Sequence, residues 1–167
     1  ITSGGSVYFA ESIDKMPDNL KEVQPTVFFG VPRVWEKFHA GVAAKLSQAT
    51  GVKKHLVAWA MNVGQTVSAK KGAGEPIGGV LALQYKLATK LIFSKLKPAL
   101  GLGRARMCVS GAAPISPDVL KFMANLDVVI HEVYGQSEDC GPTTFNLPGT
   151  TKFGTVGRRL DGIDVRI

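Results

Sequence analysis

Two apolar runs, each ending on a glycine with one helix-length of chain between them, set the tightest limit on what this sequence can fold into. The first, Arg104–Ser110, runs into Gly111-Ala112-Ala113-Pro114. The second starts at Val128, passes His131-Glu132 and reaches Tyr134-Gly135. Between them, Ser116-Pro117-Asp118 reads as a helix start. It offers a hydroxyl for the N-cap, a proline preset for the first helical position and an acid for the positive end of the dipole. Val119, Leu120 and Met123 then face inward, and the helix ends near Asn125. Strand, helix and strand over Arg104–Val133 form a crossover, which is right-handed and implies a parallel pair of strands. Ligands of open α/β sheets sit beyond the carboxyl ends of the strands. Both glycine turns lie at such ends, so they are expected side by side in one site.

The second turn carries the chemistry. Val128–Thr144 reads VVIHEVYGQSEDCGPTT. The strand is expected to close at His131-Glu132, with Val133-Tyr134 leading into a turn at Gly135. A ring (Tyr134), a hydroxyl (Ser137) and carboxylates (Glu138, Asp139) lie within a few residues. A ring can stack on a base, a hydroxyl can bond a phosphate and a carboxylate can hold Mg²⁺. A plainer reading stands beside this one: Tyr-Gly is common in turns, and Ser-Glu-Asp can simply cap a helix.

Elsewhere the pattern is read in chain order. Ile1–Ala10 is expected to hold a short strand, with Val7-Tyr8-Phe9 as its apolar part. Thr2-Ser3-Gly4-Gly5 has the glycines of a phosphate loop but lacks its lysine, so a turn into an extended segment fits better. Asp14–Val23 is a polar connector with a short helix that ends before Gln24-Pro25. Thr26–Val31 is a strand, β-branched and aromatic. Pro32 opens a helix to about Ser47, with Val34, Phe38 and Val42 on one face and Trp35 and Leu46 flanking it. Thr50-Gly51 breaks that helix. Lys53–Lys71 is helical again, with Leu56, Trp59, Ala60 and Val63 inward, and Gly72–Gly79 is a loop. Val80–Leu96 is a third helix striped by Leu83, Leu87 and Leu91. A basic amphipathic helix can lie on a membrane surface, but core packing is the commoner use of such a stripe and is the expectation here. Pro142, Pro148 and Gly149 mark an irregular loop, and Ile163–Ile167 starts another strand.

Bulk properties exclude more than they assign. At 167 residues, 45% hydrophobic and 20% charged, the chain can bury a sizeable globular core. It begins with Ile1 and stops within an apparent strand at Asp164–Ile167, so it reads as an internal piece of a longer protein. Neither a signal peptide nor an apolar run of spanning length is evident. The net charge of +7 suits anionic partners. The basic residues are scattered and not interleaved with aromatics, which argues against nucleic acid. Cys108 and Cys140 are isolated and read as reduced thiols of a cytoplasmic protein. His39, His55 and His131 lack metal-like spacing.

Together the motifs carry a resemblance. Tyr134-Gly135-Gln136-Ser137-Glu138 is similar to the Tyr-Gly-x-Ser/Thr-Glu motif of adenylate-forming enzymes. That superfamily holds acyl-CoA synthetases, peptide-synthetase adenylation domains and firefly luciferase. Gly111-Ala112-Ala113-Pro114 resembles its adenine-contacting segment, and Gly154-Thr155-Val156-Gly157 its next Gly-x-x-Gly motif. Pro25-Thr26 with Val31-Pro32-Arg33-Val34-Trp35-Glu36-Lys37 is similar to a segment of the long-chain fatty acyl-CoA synthetases, and the helical stretch before Arg104 fits that subgroup.

The resemblance implies an α/β fold: parallel-sheet βαβ units with a helical insertion, part of the larger N-terminal domain of an adenylate-forming enzyme. Its parts would be a strand-containing entry (1–31), a helical block (32–97) and the nucleotide-site βαβ with the strands that follow (98–167). It implies ATP and Mg²⁺ as cofactors and CoA as cosubstrate. Tyr134 would stack on adenine. Gly111, Ala112, Ala113 and Pro114 would line the pocket. Gln136 and Ser137 belong to the nucleotide site, Ser137 bonding phosphate and acting in catalysis with Glu138. Glu138 would hold the metal, and Gly135 would leave room for the carboxylate being activated. Trp35 matches an acyl-tunnel aromatic of some members, against the equal alternative of a core tryptophan. The family's phosphate loop would precede Ile1, and its ribose-binding aspartate and mobile C-terminal domain would follow Ile167, so the chain alone is not expected to turn over. Arg158-Arg159-Leu160-Asp161-Gly162 departs from relatives that more often carry a proline. The expected activity is ATP-dependent formation of a long-chain acyl-CoA. The alternatives are another carboxylic acid, or a non-catalytic nucleotide-binding or membrane-peripheral module. Peripheral membrane contact and oligomerisation stay open.

Overall fold

The computed structural model describes residues 4–166. Three short strands pair in parallel: β1 (Val27–Gly30), β2 (Met107–Ser110) and β3 (Ile130–Gln136). The sheet then turns antiparallel through β4 (Gly141–Phe145) and β5 (Arg158–Arg159), giving the order β1-β2-β3-β4-β5. The fold is mixed α/β with the parallel crossover expected over Arg104–Val133.

Local chemistry explains the first helices. Helix α1 (Met16–Val23) ends where Gln24 turns left-handed, just before Pro25. Pro32 opens α2 (Pro32–Ser47), which buries Val34, Trp35, Phe38 and Val42. Helix α6 (Pro117–Asn125) has Ser116 as its cap, the hydroxyl accepting from the Asp118 N–H at 3.3 Å. Met16 and Leu20 of α1, Trp35 and Phe38 of α2, Val119, Leu120 and Met123 of α6, and Cys108 and Ile130 of the sheet form one core. Trp35 sits in it fully buried. Its indole N–H faces the carbonyls of Gly30 (3.2 Å) and Val109 (3.3 Å), bracing β1 against β2.

A second core lies between α3 (Gly51–Gly72) and a helical run made of α4 (Gly79–Ala88), a π turn at Thr89–Phe93 and α5 (Ser94–Ala99). Ala60, Val63, Val67, Ala88 and Phe93 fill it. The inward face of α3 is therefore Val57, Ala60, Val63 and Val67, with Leu56 and Trp59 only half-buried. The expected core stripe of the third helix is corrected: Leu83, Leu87 and Leu91 are 61%, 45% and 42% exposed. This helix is apolar on two sides, and only the side bearing Leu81, Tyr85, Ala88 and Ile92 meets α3. The π turn, wider than an α turn, shifts the phase so that Phe93 joins that buried side. The two cores are tied at Asp127, whose carboxylate accepts from Tyr85 Oη and Lys97 Nζ, both at 2.6 Å. Helix α3 also crosses the end of α6 at Gly64, where an added Cβ would stand 2.0 Å from the Asn125 carbonyl oxygen.

Two strand expectations fail. Val7, Tyr8 and Phe9 form no strand and are exposed, because residues 4–10 find no sheet edge to pair with. Residues 1–3, with Thr2 and Ser3 of the glycine segment, lie outside the described residues. Residues 163–166 are likewise unpaired, and Ile167 lies outside the described residues. Pro142, expected in a loop, is in β4.

The segment 147–157 is irregular but is anchored by buried polar groups. Asn146 accepts from the Lys152 N–H at 3.1 Å and donates to the carbonyls of Lys152 and Thr155. The buried carboxylate of Glu132 accepts from the Gly154 N–H at 3.1 Å. His131 Nδ1 meets Thr151 Oγ1 at 2.7 Å. Burial holds Glu132 above its ordinary pKa of 4.5, with the Gly154 N–H acting in the opposite sense. A glutamate so shifted binds its proton more tightly folded than unfolded. Its contribution is at its most favourable below pH 4.5 and is lost as pH rises through the folded value. Burial also lowers the pKa of His131, which costs stability as pH falls below 6.5. In Glu132→Gln the amide oxygen still accepts from Gly154 and the charge is gone. Thermal melts of wild type and Glu132→Gln at a series of pH values should converge in acid and separate, with the variant more stable, toward neutrality. The His131 contribution is common to both and cancels in the difference. Curves that stay parallel throughout would remove Glu132 as a source of pH dependence.

Candidate functional site

The register of β2 on β3 sets Ser110 opposite Glu132 and Val109 opposite His131. The residue after β2, Gly111, is therefore level with Val133. A Cβ on Gly111 would stand 2.7 Å from Val133 Cγ1 and 3.1 Å from the Phe29 ring of β1. Those apolar neighbours leave room only for hydrogen, so the backbone turns there without a side chain. Ala112 follows at φ +70°, a left-handed conformation that costs a non-glycine residue on the order of 1–2 kcal/mol. Ala112, Ala113 and Pro114 are exposed, so their backbone lines open space at the strand end. The Ser110 hydroxyl just beneath is buried and has no hydrogen-bond partner among the described residues.

On the neighbouring strand, the expected close at His131-Glu132 and turn at Gly135 are corrected. Strand β3 runs on through Tyr134, Gly135 and Gln136, and its partner there is β4, antiparallel. The register slips between Tyr134 and Gly135. The two chains approach so closely that a Cβ on Gly135 would lie 2.1 Å from the Gly141 carbonyl oxygen. Gly135 thus serves a close backbone contact rather than a turn. The turn itself is Ser137–Asp139, a single 3₁₀ turn closed by Cys140 at φ +56°. Ser137-Glu138-Asp139 accordingly caps no following helix; it is the tip of a hairpin.

The side chains on this hairpin divide by partner. Asp139 is bonded by Thr143 Oγ1, and that bond, then one from the Gln136 side chain, holds its carboxyl below the usual aspartate range. Ser137 and Glu138 are exposed and make no side-chain hydrogen bond or ion pair among the described residues. Tyr134 is half-exposed at 48%. The result is an open ledge: the exposed segment 112–114 that follows β2, an exposed ring on the adjacent strand β3, and one free hydroxyl and one free carboxylate farther along the hairpin. The Gly154–Gly157 segment packs against β4, where a Cβ on Gly157 would lie 2.1 Å from the Phe145 carbonyl oxygen. Trp35 is not on the ledge. Its ring packs against Phe28 at 5.2 Å and Phe38 at 5.8 Å between centroids.

A concave space lies elsewhere. It is a cavity of about 820 Å³ between α3, α6 and residues 148–153, lined by Lys71, Lys121, Lys152 and Arg158 among others. No group of three or more His, Cys, Asp or Glu stands as a metal cluster among the described residues. Sequence reasoning missed Ser110, Glu132, Asn146 and Asp127. The one available signal was a polar pair, His131-Glu132, inside an otherwise apolar run.

Comparison with known proteins places this chain in a family. The family of AMP-binding enzymes matches residues 1–167. A long-chain-fatty-acid–CoA ligase of Xenopus laevis is 38% identical over 172 aligned residues, covering 98% of this chain and 22% of the relative. A long-chain-fatty-acid–CoA ligase of Homo sapiens is 38% identical over 165 residues, covering 97% of this chain and 24% of the relative. A benzoate CoA ligase from Burkholderia xenovorans LB400 superposes with a TM-score of 0.48 at 17% identity, over 92% of this chain and 21% of that one. The chain therefore spans less than a quarter of the length of these two curated relatives, and across all of its own length it belongs to the AMP-binding enzyme family.

Proposed function

We propose that the protein carrying this chain activates a long-chain fatty acid with ATP to an acyl-adenylate and then transfers the acyl group to CoA. One observation supports the reading: β2 and β3 are parallel neighbours, so the segment Gly111–Pro114 leaves the end of one strand next to the strand that carries Tyr134 and leads to an unpartnered hydroxyl and carboxylate. The long-chain class draws its support from the relatives, which are named for that substrate.

A carboxylate is a poor acyl donor, because attack on its carbon would have to expel oxide. Attack by the carboxylate oxygen on the α-phosphorus of ATP breaks the bond to pyrophosphate and leaves a mixed anhydride. Attack by the CoA sulfur on the acyl carbon then expels AMP and leaves the thioester. The first step brings anions together, so oriented donors and cations control its rate. In this proposal Tyr134 stacks on the adenine, and the backbone of Gly111, Ala112, Ala113 and Pro114 lines the adenine and acyl sides. Ser137 Oγ donates to the phosphate, and Gln136 steadies the turn through Asp139. Gly135, which has no side chain to intrude, leaves room for the carboxylate. Glu138 fits a Mg²⁺ ligand, since its carboxylate is exposed and unengaged. Mg²⁺ is commonly held by one or two carboxylates with phosphate oxygens and water completing its shell. When bound, it offsets phosphate charge in the transfer. Trp35 braces β1 on β2, and its role as an acyl-tunnel aromatic belongs to the same proposal. The free thiols, buried Cys108 and exposed Cys140, support a reducing, cytoplasmic setting.

Acid-dependent ATP–pyrophosphate exchange by the full-length protein tests the proposal, across acids from acetate to long-chain and aryl acids. Exchange is expected to rise with acyl length. Exchange confined to short or aryl acids would discard the long-chain class, and none with any acid would discard adenylation. Glu138→Ala should lower exchange by about two to three decades with melting unchanged. Gly135→Ala should instead lose exchange together with stability, by roughly 1–3 kcal/mol in denaturant titration, because the added Cβ meets the Gly141 backbone.

A further inference from the structure

Residues 152–156 lie in no helix or strand, and side chains of β3 and β4 take up polar groups of their backbone. The Glu132 carboxylate accepts from the Gly154 N–H at 3.1 Å, and Thr144 Oγ1 donates to the Val156 carbonyl at 2.8 Å. Both side chains are buried. Phe153, between them in space and next to Gly154 in sequence, packs against the core that Trp35, Leu120 and Ile130 share. These bonds join described residues to one another, so they do not depend on what the longer protein lays over this surface.

The two bonds straddle Tyr134. Glu132 precedes it by two residues, and Thr144 is its cross-strand partner. Here β3 changes support. Up to Glu132 it is held by β2, and from Val133 its ladder partner is β4, with the register slipping directly after Tyr134. An irregularity of that kind bends and twists a strand locally. The ladder holds β4 on β3 but leaves the angle of the pair to the parallel sheet open. Residues 154–156 close the triangle. At one end they are bonded to Glu132, in the parallel sheet, and at the other to Thr144, in the hairpin arm.

We propose that Glu132 and Thr144 are positioning residues for adenylate formation, bracing the hairpin through residues 154–156 so that Tyr134 and the hairpin tip keep a fixed setting relative to the strand end at Gly111–Pro114. The inference rests on the adenylation reading of this site. Neither side chain is assigned a contact with the reacting atoms. Apolar packing of Phe153 is enough to keep the segment in place, but it is non-directional. Hydrogen bonds at set distances and angles fix direction as well.

The test is ATP–pyrophosphate exchange by the full-length protein at saturating acid, read as kcat and the KM for ATP, beside a thermal melt. Glu132→Leu fills the space and removes the acceptor. Its kcat is expected to fall by about tenfold or more, since a displacement near 1 Å can cost about a hundredfold. Its KM for ATP should stay within about threefold, because stacking tolerates a displacement that in-line attack does not. Thr144→Val keeps the shape, removes the second bond and should lower kcat severalfold in the same way. Glu132→Gln retains an acceptor for Gly154 and should restore kcat to within about threefold of wild type. If Glu132→Leu does not fold, Thr144→Val and Glu132→Gln decide the matter. Wild-type kcat in Thr144→Val or in a folded Glu132→Leu would overturn the inference, and so would a loss in Glu132→Gln as deep as in Glu132→Leu. A lower melting temperature with kcat per folded molecule unchanged would also overturn it, leaving both residues as anchors. A wild type that exchanges with no acid would instead strike the adenylation reading, and this inference with it.

Discussion

Where β2 pairs with β3, Ser110 stands opposite Glu132, and the next residue meets Val133 and Phe29 across a gap that admits no side chain. That contact fixes several things at once. It forces glycine at position 111, so the chain leaves the strand as bare backbone. The next residue, Ala112, is in a left-handed conformation. The contact also sets the level at which Tyr134 leaves the parallel sheet. Trp35 supports the arrangement from below, bonding to one carbonyl of β1 and one of β2. A parallel sheet of such short strands gains little from its own ladder, and the helices on its face do most of the stabilising.

The change from parallel to antiparallel pairing within β3 is what turns a strand end into a ledge. Up to Glu132 the strand is a buried member of the parallel sheet. From Val133 onward it is one arm of a hairpin that reaches into solvent. The chain beyond the second arm, residues 147–157, holds little regular structure and depends on anchors. Asn146, Glu132, His131 and Thr144 supply those anchors, each engaging a backbone or hydroxyl group of that segment. A buried carboxylate that accepts one N–H is a costly anchor. Its position, directly opposite Ser110 with its unpartnered hydroxyl, gathers the polar burial of the parallel sheet at the carboxyl ends of its strands.

Much of this was legible from residues alone, for identifiable reasons. Helix α2 announced itself through Pro32 and the Val34–Phe38–Val42 spacing, and α6 through Ser116-Pro117-Asp118; both lie where those signals put them. The crossover followed from the two glycine-ended runs. What was not legible depended on partners. Val7-Tyr8-Phe9 has strand composition but no edge to pair with. The length of β3 could not be read because its outer half exists only through β4, and glycine at 135 looked like a turn while serving a close approach. On the site ledge, the order of residues was visible but their division of labour was not. Nothing in Ser-Glu-Asp distinguishes the acid that Thr143 and Gln136 take up from the one left free.

The helix from Gly79 to Ala99 shows the same limit from the other direction. Its sequence is apolar on two faces, and periodicity cannot say which of them a neighbour will cover. Packing settles it through small and aromatic residues: Ala88 lets the helix approach α3, and Phe93 fills the space beyond the π turn. Leucine is a good helix former, but so are the lysines and glutamines that normally fill exposed positions. Val80, Leu83, Leu87 and Leu91 are what that choice leaves on the opposite face, and the spacing alone gave them an equal claim to the core.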